Sequence, residues 1–270
     1  MSIAKTKPST TPVLFTPHIG VEVSNIDLGT LQIDDVFPSI CELLDHHLVV
    51  VIRNQSLDAH QLRDFVARFG PLFRHHADVG VLFADGVPEV LEMRKEPDGQ
   101  RLFGGSDWHA DVTFRKPSGY VSALHAKILP PVGGDTGFAS AIAACGALSD
   151  GMKALLDSLQ AVHSYDGPGR PEHAAETAVH PVIRRHPVTG KHGIYLNRMF
   201  VTRFADMTED ESRPLIDYLD HHMSRPEFCF RHRWAQGDLL LWDNRFTLHY
   251  PINDFIGHRR LLIRCTALES

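Results

Sequence analysis

The sequence predicts a mixed, β-centred fold, and three observations carry that expectation. Seven short runs rich in Val, Ile, Leu or aromatic residues read as strands. Four stretches with helical patterning lie between them. No self-similarity at a period of roughly 20 to 50 residues points to a repeat architecture instead.

In chain order, a helix is expected over 35–45, followed by an apolar strand over 47–53. A second helix over 59–69 starts behind Ser56 or Asp58 as its cap, and short strands follow over 90–93 and 119–128. The third helix spans 148–160, and the aliphatic run 194–197 returns to strand. Thr208 and Glu211 fit a capping box at the head of a fourth helix over 209–222. Strands over 227–234, 238–242 and 259–268 complete the chain. Gly167, Pro168, Gly169, Arg170 and Pro171 read as a loop, not a linker, so residues 1–270 are expected to form a single catalytic domain with 1–12 as a flexible tail.

Composition agrees with an ordinary globular protein, at 43% hydrophobic and 22% charged over 270 residues. The net charge of −6 and the lack of a Lys/Arg block argue against nucleic acid or an anionic membrane as partner, since both are held by basic patches. Cys41, Cys145, Cys229 and Cys265 are scattered with no C-x-x-C pair, which suggests free thiols in a reducing compartment. With no signal-like start and no apolar run of about 18 residues, the protein reads as cytoplasmic. Composition leaves homo-oligomerisation open.

Two imidazoles and one carboxylate, His109, Asp111 and His249, are the strongest candidates for chemistry. Three such ligands on one face of an octahedral ion leave the other face open, as non-haem Fe(II) oxygenases require. A bare His-x-Asp proves little, because a second one stands at His76 and Asp78. The 109/111 pair has the better setting. Trp108, Val112, Thr113 and Phe114 suit a strand, and in an extended chain residues i and i+2 share a face, so both ligands could reach one ion. The same three ligands plus water would also describe catalytic zinc, and a silent metal- or anion-binding protein is a further alternative.

Several ordered blocks then make the chain resemble the taurine dioxygenase and 2,4-D dioxygenase family of Fe(II)/2-oxoglutarate enzymes. They are Trp108 to Phe114, Gly133-Gly134-Asp135-Thr136, His180-Pro181-Val182, the segment His186 to Lys191, Trp242-Asp243-Asn244-Arg245, His249-Tyr250, and Arg259 to Arg264. The resemblance runs from about Phe15 to Ala267 and implies a double-stranded β-helix, or jelly roll, with flanking helices. It further implies Fe(II) held by His109, Asp111 and His249, with 2-oxoglutarate and O2 as co-substrates. Asp111 fills the carboxylate position that halogenating relatives leave to a small residue, so the resemblance implies hydroxylation.

The last strand adds arginines. Arg260, Leu262 and Arg264 alternate with Leu261, Ile263 and Cys265, which puts both guanidinium groups on one face about 13 Å apart along the strand. A solvated sheet face could show the same pattern. The resemblance favours function: Arg260, eleven residues after His249, falls where the family anchors oxoglutarate, and Arg264 falls where it anchors the substrate. Planar guanidinium forks suit carboxylates and sulfonates. Thr136 matches the hydroxyl partner of the distal oxoglutarate carboxylate, while His75, Asn197 and Phe200 match substrate-pocket positions. His125 reads as a satisfied core or surface histidine, Arg231 and Arg233 as solvated or paired with carboxylates, and Trp108 and Trp242 as packing around the metal strands.

The expected activity is hydroxylation of a small anionic substrate with decarboxylation of 2-oxoglutarate to succinate. Gly105 replaces a family asparagine, and the segment between Val162 and His180 is shorter than in taurine dioxygenase. Gly137-Phe138-Ala139-Ser140 resembles the aryloxyalkanoate-degrading members more closely. Together these favour a carboxylate or sulfonate with a larger apolar body over taurine.

Overall fold

The chain is described by a computed structural model covering residues 12–29, 33–75, 82–99, 107–165 and 176–270. Its centre is a seven-stranded sheet. The strands stand in the order Val13–Leu14, Val21–Val23, Val49–Ile52, Leu239–Asp243, Gly119–Ile128, Arg260–Leu268 and Val90–Lys95. All neighbours are antiparallel except Val21–Val23 beside Val49–Ile52.

Alternation along these strands feeds two cores. Val50, Ile52, Val121, Ala123, Leu239, Leu241, Ile263 and Cys265 pack in one cluster with Ile40 and Leu44 of helix Ile33–His47 and Leu62 and Phe65 of helix Ala59–Val66. Val49, Val51, Leu124, Leu240, Trp242 and Leu262 point the other way, toward Phe138, Phe230 and Phe246. A strand buried on both faces needs no polar alternation, which is why Val49–Ile52 and Leu239–Asp243 are nearly continuous apolar runs.

Facing the large sheet is a smaller one, with Thr136–Ser140 between Cys229–His232 and Thr247–Pro251. Its outer side rests on helices Ala141–Gly146 and Glu209–Met223 through Ala139, Leu248, Ile216 and Leu219. The β-centred expectation holds, with two sheets face to face and helices outside. Helix Glu209–Met223 carries the capping box of Thr208 and Glu211, and Asp58 makes the equivalent box with Gln61.

Several boundaries differ from expectation. The helix placed at 148–160 is Asp150–Asp157, because Ser149 caps Met152 and the chain is already in a strand at Gln160. The run 194–197 is a strand only up to Ile194. Residues 227–234 begin as a 3-10 turn, Pro226–Phe228, before strand Cys229–His232. His76 and Asp78, Gly105, the loop 167–171 and residues 1–11 lie outside the described residues.

Candidate active site

Strand Thr247–Pro251 carries His249, and an isolated antiparallel bridge brings His109 alongside it. Each donates its backbone N–H to the other's carbonyl, at 3.0 and 2.7 Å, and the imidazole centroids lie 4.1 Å apart. Beyond this bridge the chain departs from the extended path expected over 108–113. Asp111 enters a turn in which Val112 has φ of 57°, a left-handed conformation that disfavours a β-branched residue. The ligand atoms of His109, Asp111 and His249 nevertheless lie within 4.8 Å of one another, all buried. The turn, not strand alternation, aims the carboxylate.

What holds that turn is a set of residues that spacing alone does not reveal. Asn244 Oδ1 accepts from the Asp111 backbone N–H and from Trp242 Nε1, both at 2.9 Å, while its Nδ2 donates to Ser122 Oγ at 2.9 Å. Ser122 in turn donates to Asp111 Oδ2 at 2.8 Å, and Arg264 Nη1 donates to Oδ1 at 2.9 Å. A Cβ on Gly119 would come within 2.4 Å of the Asp111 carbonyl oxygen, so only glycine admits this approach. Asn244 is signalled by its place in the Trp-Asp-Asn-Arg block; nothing in the sequence marks Ser122.

Burial opposes ionisation of Asp111, but Arg264, His249, His109 and the Ser122 hydroxyl outweigh it and hold the carboxyl well below its usual range. Desolvation lowers both histidines, with Asp111 partly countering it, which keeps the imidazoles neutral at neutral pH. His109 Nδ1 contacts the Asp107 carbonyl at 2.9 Å; as donor there, it presents the Nε2 lone pair to the site. Two neutral imidazoles and one carboxylate, deprotonated and converging, fit a divalent transition metal.

A cavity opens from His249. It is lined by Met93, Leu124, Thr136, Pro251, Arg260, Leu262 and Arg264, so the arginine-bearing face of the last strand points inward and not into solvent. That strand runs between Gly119–Ile128 and Val90–Lys95, which explains why its face is covered. Arg260 is 2% exposed, and burial pulls its guanidinium down to about 10 against the pull of Asp135, leaving it cationic at neutral pH. Thr136 Oγ1 accepts from Trp234 Nε1 at 3.0 Å, which leaves its own O–H free to donate into the cavity. Arg231 is tied to Asp135 and Asp254 at 2.6 and 3.1 Å, as a carboxylate-paired arginine.

On another side of the triad lies an aromatic wall. Phe73, Val112, Phe114, Phe200 and Leu268 pack together with Tyr165, and the Phe200 ring is 6.4 Å from His109. His75 stands edge-on to Phe73 at 4.6 Å, next to this wall. Asn197 Nδ2 donates to Thr113 Oγ1 and its Oδ1 accepts from the Phe200 N–H, so it positions Phe200. Trp242 packs 4.8 Å from His249, Trp108 5.6 Å from Tyr250, and His125 is buried against the Gln55 carbonyl.

Known proteins share this arrangement of the chain. The alkylsulfatase of Acinetobacter baylyi is 32% identical over 93% of this chain and 82% of its own length. The alpha-ketoglutarate-dependent 2,4-dichlorophenoxyacetate dioxygenase of Cupriavidus pinatubonensis is 29% identical, covering 94% and 96%. A crystal structure of a putative alpha-ketoglutarate-dependent taurine dioxygenase from Burkholderia xenovorans superposes with a TM-score of 0.83 at 31% identity, over 97% of this chain and 93% of that one. Residues 8–266 match the taurine catabolism dioxygenase TauD, TfdA family, and the chain belongs to that family.

Proposed function

We propose that the protein is an Fe(II)/2-oxoglutarate-dependent dioxygenase that hydroxylates a small organic anion, with His109, Asp111 and His249 as the iron ligands. The carrying observation is a cavity that runs from His249, one of three convergent metal donors, to a buried guanidinium and a threonine hydroxyl. A zinc hydrolase or a silent metal-binding protein has no use for the second end.

When bound, iron supplies the redox chemistry that couples O2 to the keto acid, giving succinate, CO2 and one oxygen inserted into the substrate. Everything else falls to the chain. Arg260 and Thr136 bind the distal carboxylate of 2-oxoglutarate, fixing how far the keto acid reaches toward the triad. Ser122, Asn244 and Arg264 orient the Asp111 carboxylate through both of its oxygens. Arg264, on the boundary between Asp111 and the cavity, anchors the acid group of the substrate and so decides which carbon faces the metal. Phe73, Phe114, Tyr165 and Phe200, with His75 at the edge, cover its body and exclude water.

This wall supports an acid with an apolar or aromatic body, such as an alkyl sulfate or an aryloxyalkanoate. Oxygen insertion at a carbon bearing an ether or sulfate-ester oxygen gives an unstable adduct that collapses to a carbonyl and releases phenol or sulfate. The test is a panel of alkyl sulfates, aryloxyalkanoates, N-acyl amino acids, sulfonates and taurine, assayed for succinate and for oxygenated product. Apolar-bodied acids should stimulate succinate release most, and their neutral esters should not. A preference for taurine or for a neutral substrate would overturn the substrate class.

A further inference from the structure

Strand Gln160–Tyr165 lies between Val201–Phe204 and Glu176–Pro181 in a separate three-stranded sheet. Alternation puts Ala161, His163 and Tyr165 on one face of that strand, and His180, paired with Ala161 across the strands, shares the face. The His163 and His180 rings are both buried and meet edge-on at 5.1 Å. Both end on one residue, Thr113, itself fully buried two positions after Asp111. His163 Nδ1 lies 2.9 Å from Thr113 Oγ1, and His180 Nε2 donates to the Thr113 carbonyl at 2.9 Å. Asn197 Nδ2 completes the grip, donating to Oγ1 at 3.3 Å. Further along the same face, the Tyr165 ring stacks on Phe114 at 4.9 Å. Side chains two apart on one strand thus hold two successive residues of the turn that begins at Asp111.

Burying two polar rings costs desolvation, and an apolar pair would fill the same space without that cost. What the imidazoles add is direction. The left-handed Val112 stands between Asp111 and Thr113, and a β-branched residue keeps that conformation only where its surroundings enforce it. On one flank Asn244 accepts from the Asp111 N–H. Gly119 donates to the Val112 carbonyl at 3.2 Å in the middle of the turn. On the other flank the two histidines fix the Thr113 side chain and carbonyl, so Val112 is pinned from both sides.

We propose that His163 and His180 are positioning residues for the metal centre: acting through Thr113, they fix the turn that aims the Asp111 carboxylate. This rests on the reading of His109, Asp111 and His249 as metal ligands. It adds a brace from a sheet that carries none of the three.

The test titrates Mn(II) into the full-length protein and its variants, with melting temperature as the check on folding. It uses the reach of the amides: asparagine places its amide where histidine carries Nδ1, and glutamine extends to the place of Nε2. His163→Leu and His180→Leu should each weaken Mn(II) binding about tenfold. His163→Asn should recover most of that affinity and His163→Gln should not. At position 180 the order reverses, because the contact there is made by Nε2: His180→Gln recovers it and His180→Asn does not. Should the leucine variants not fold, the amide pairs decide alone. Equal affinities for the two amides at each position would mark the histidines as space-filling and overturn the proposal, as would wild-type affinity in folded leucine variants. A wild type that binds no Mn(II) would instead overturn the ligand assignment, and the proposal with it.

Discussion

The two ends of the cavity are built in opposite ways. At the metal end the Asp111 carboxylate and the chain around it are braced from several strands: Ser122 from Gly119–Ile128, Arg264 from Arg260–Leu268, and Asn244 just past Leu239–Asp243. At the far end Arg260 lies against Phe255 and Trp234, where burial works against its charge. The metal end is preorganised by the protein's own hydrogen bonds. The far end presents a buried cation and a threonine hydroxyl to the cavity. The difference teaches that substitutions at the first should act through geometry and metal affinity, and at the second through recognition of the anion.

The sharpest break is at the triad. His109→Ala, Asp111→Ala and His249→Ala should each abolish Fe(II)-dependent succinate formation while leaving the thermal transition in place, because each removes one of three metal donors. Wild-type turnover from any one of them would refute the ligand assignment. Next in size is Arg260→Ala, which should raise the KM for 2-oxoglutarate by an amount equivalent to about 2 to 5 kcal/mol, since a buried carboxylate would lose its cation. Arg264→Ala should spare that KM and instead weaken metal affinity, through the loss of its bond to Asp111, and increase succinate formation uncoupled from product. Equal effects of the two arginines on oxoglutarate KM would erase the distinction between the ends.

Asn244→Ala sharpens the comparison at the metal end. The Asp111 N–H and the Trp242 indole would lose their shared acceptor, and metal affinity should fall by roughly 10- to 100-fold, as for other residues that orient ligands, with oxoglutarate recognition little changed. Equilibrium titration with Mn(II) checks this; an unchanged affinity would show that the turn holds itself.

The smallest effect concerns pH. Burial, with His180 and Arg184 adding to it, lowers His163 to about 3, and burial with Lys127 lowers His125 to about 4. The unfolded chain binds these protons near pH 6.5 and the folded one does not. Their contribution to stability is therefore complete above about pH 6.5 and declines as pH falls toward 4 and 3. Melting temperature should drop across that window, less steeply in His163→Gln. A flat profile would mean that neither histidine stays neutral in the folded protein.

The strand core and the ligand residues are legible in the sequence for plain reasons. Gly119–Ile128 and Arg260–Leu268 fall where their Val, Leu and Ile content places them, and the arginines alternate as a strand requires. Strand Thr136–Ser140 is not legible. Its Thr-Gly-Phe-Ala-Ser composition carries little strand signal, and the glycine is there because a Cβ at Gly137 would lie 2.8 Å from the Trp108 ring. Asp111 converges with His109 and His249 through a turn and not through the alternation expected over 108–113: the left-handed Val112 is sustained by Asn244, more than a hundred residues away, and no local pattern encodes such a contact. Arg260 and Met93 line the same cavity through register between strands, which one strand's periodicity cannot show.

The account rests on one ligand, 2-oxoglutarate, spanning both ends of the cavity, and an anaerobic titration tests that most directly. Fe(II) is added to the protein without oxygen, then 2-oxoglutarate, and the visible spectrum is followed for the weak charge-transfer band of a chelated keto acid. The wild type should develop the band and saturate, Arg260→Ala should develop the same band only at much higher 2-oxoglutarate, and His249→Ala should develop none. A wild type that stays colourless with both present, or a His249→Ala variant with the full band, would contradict it.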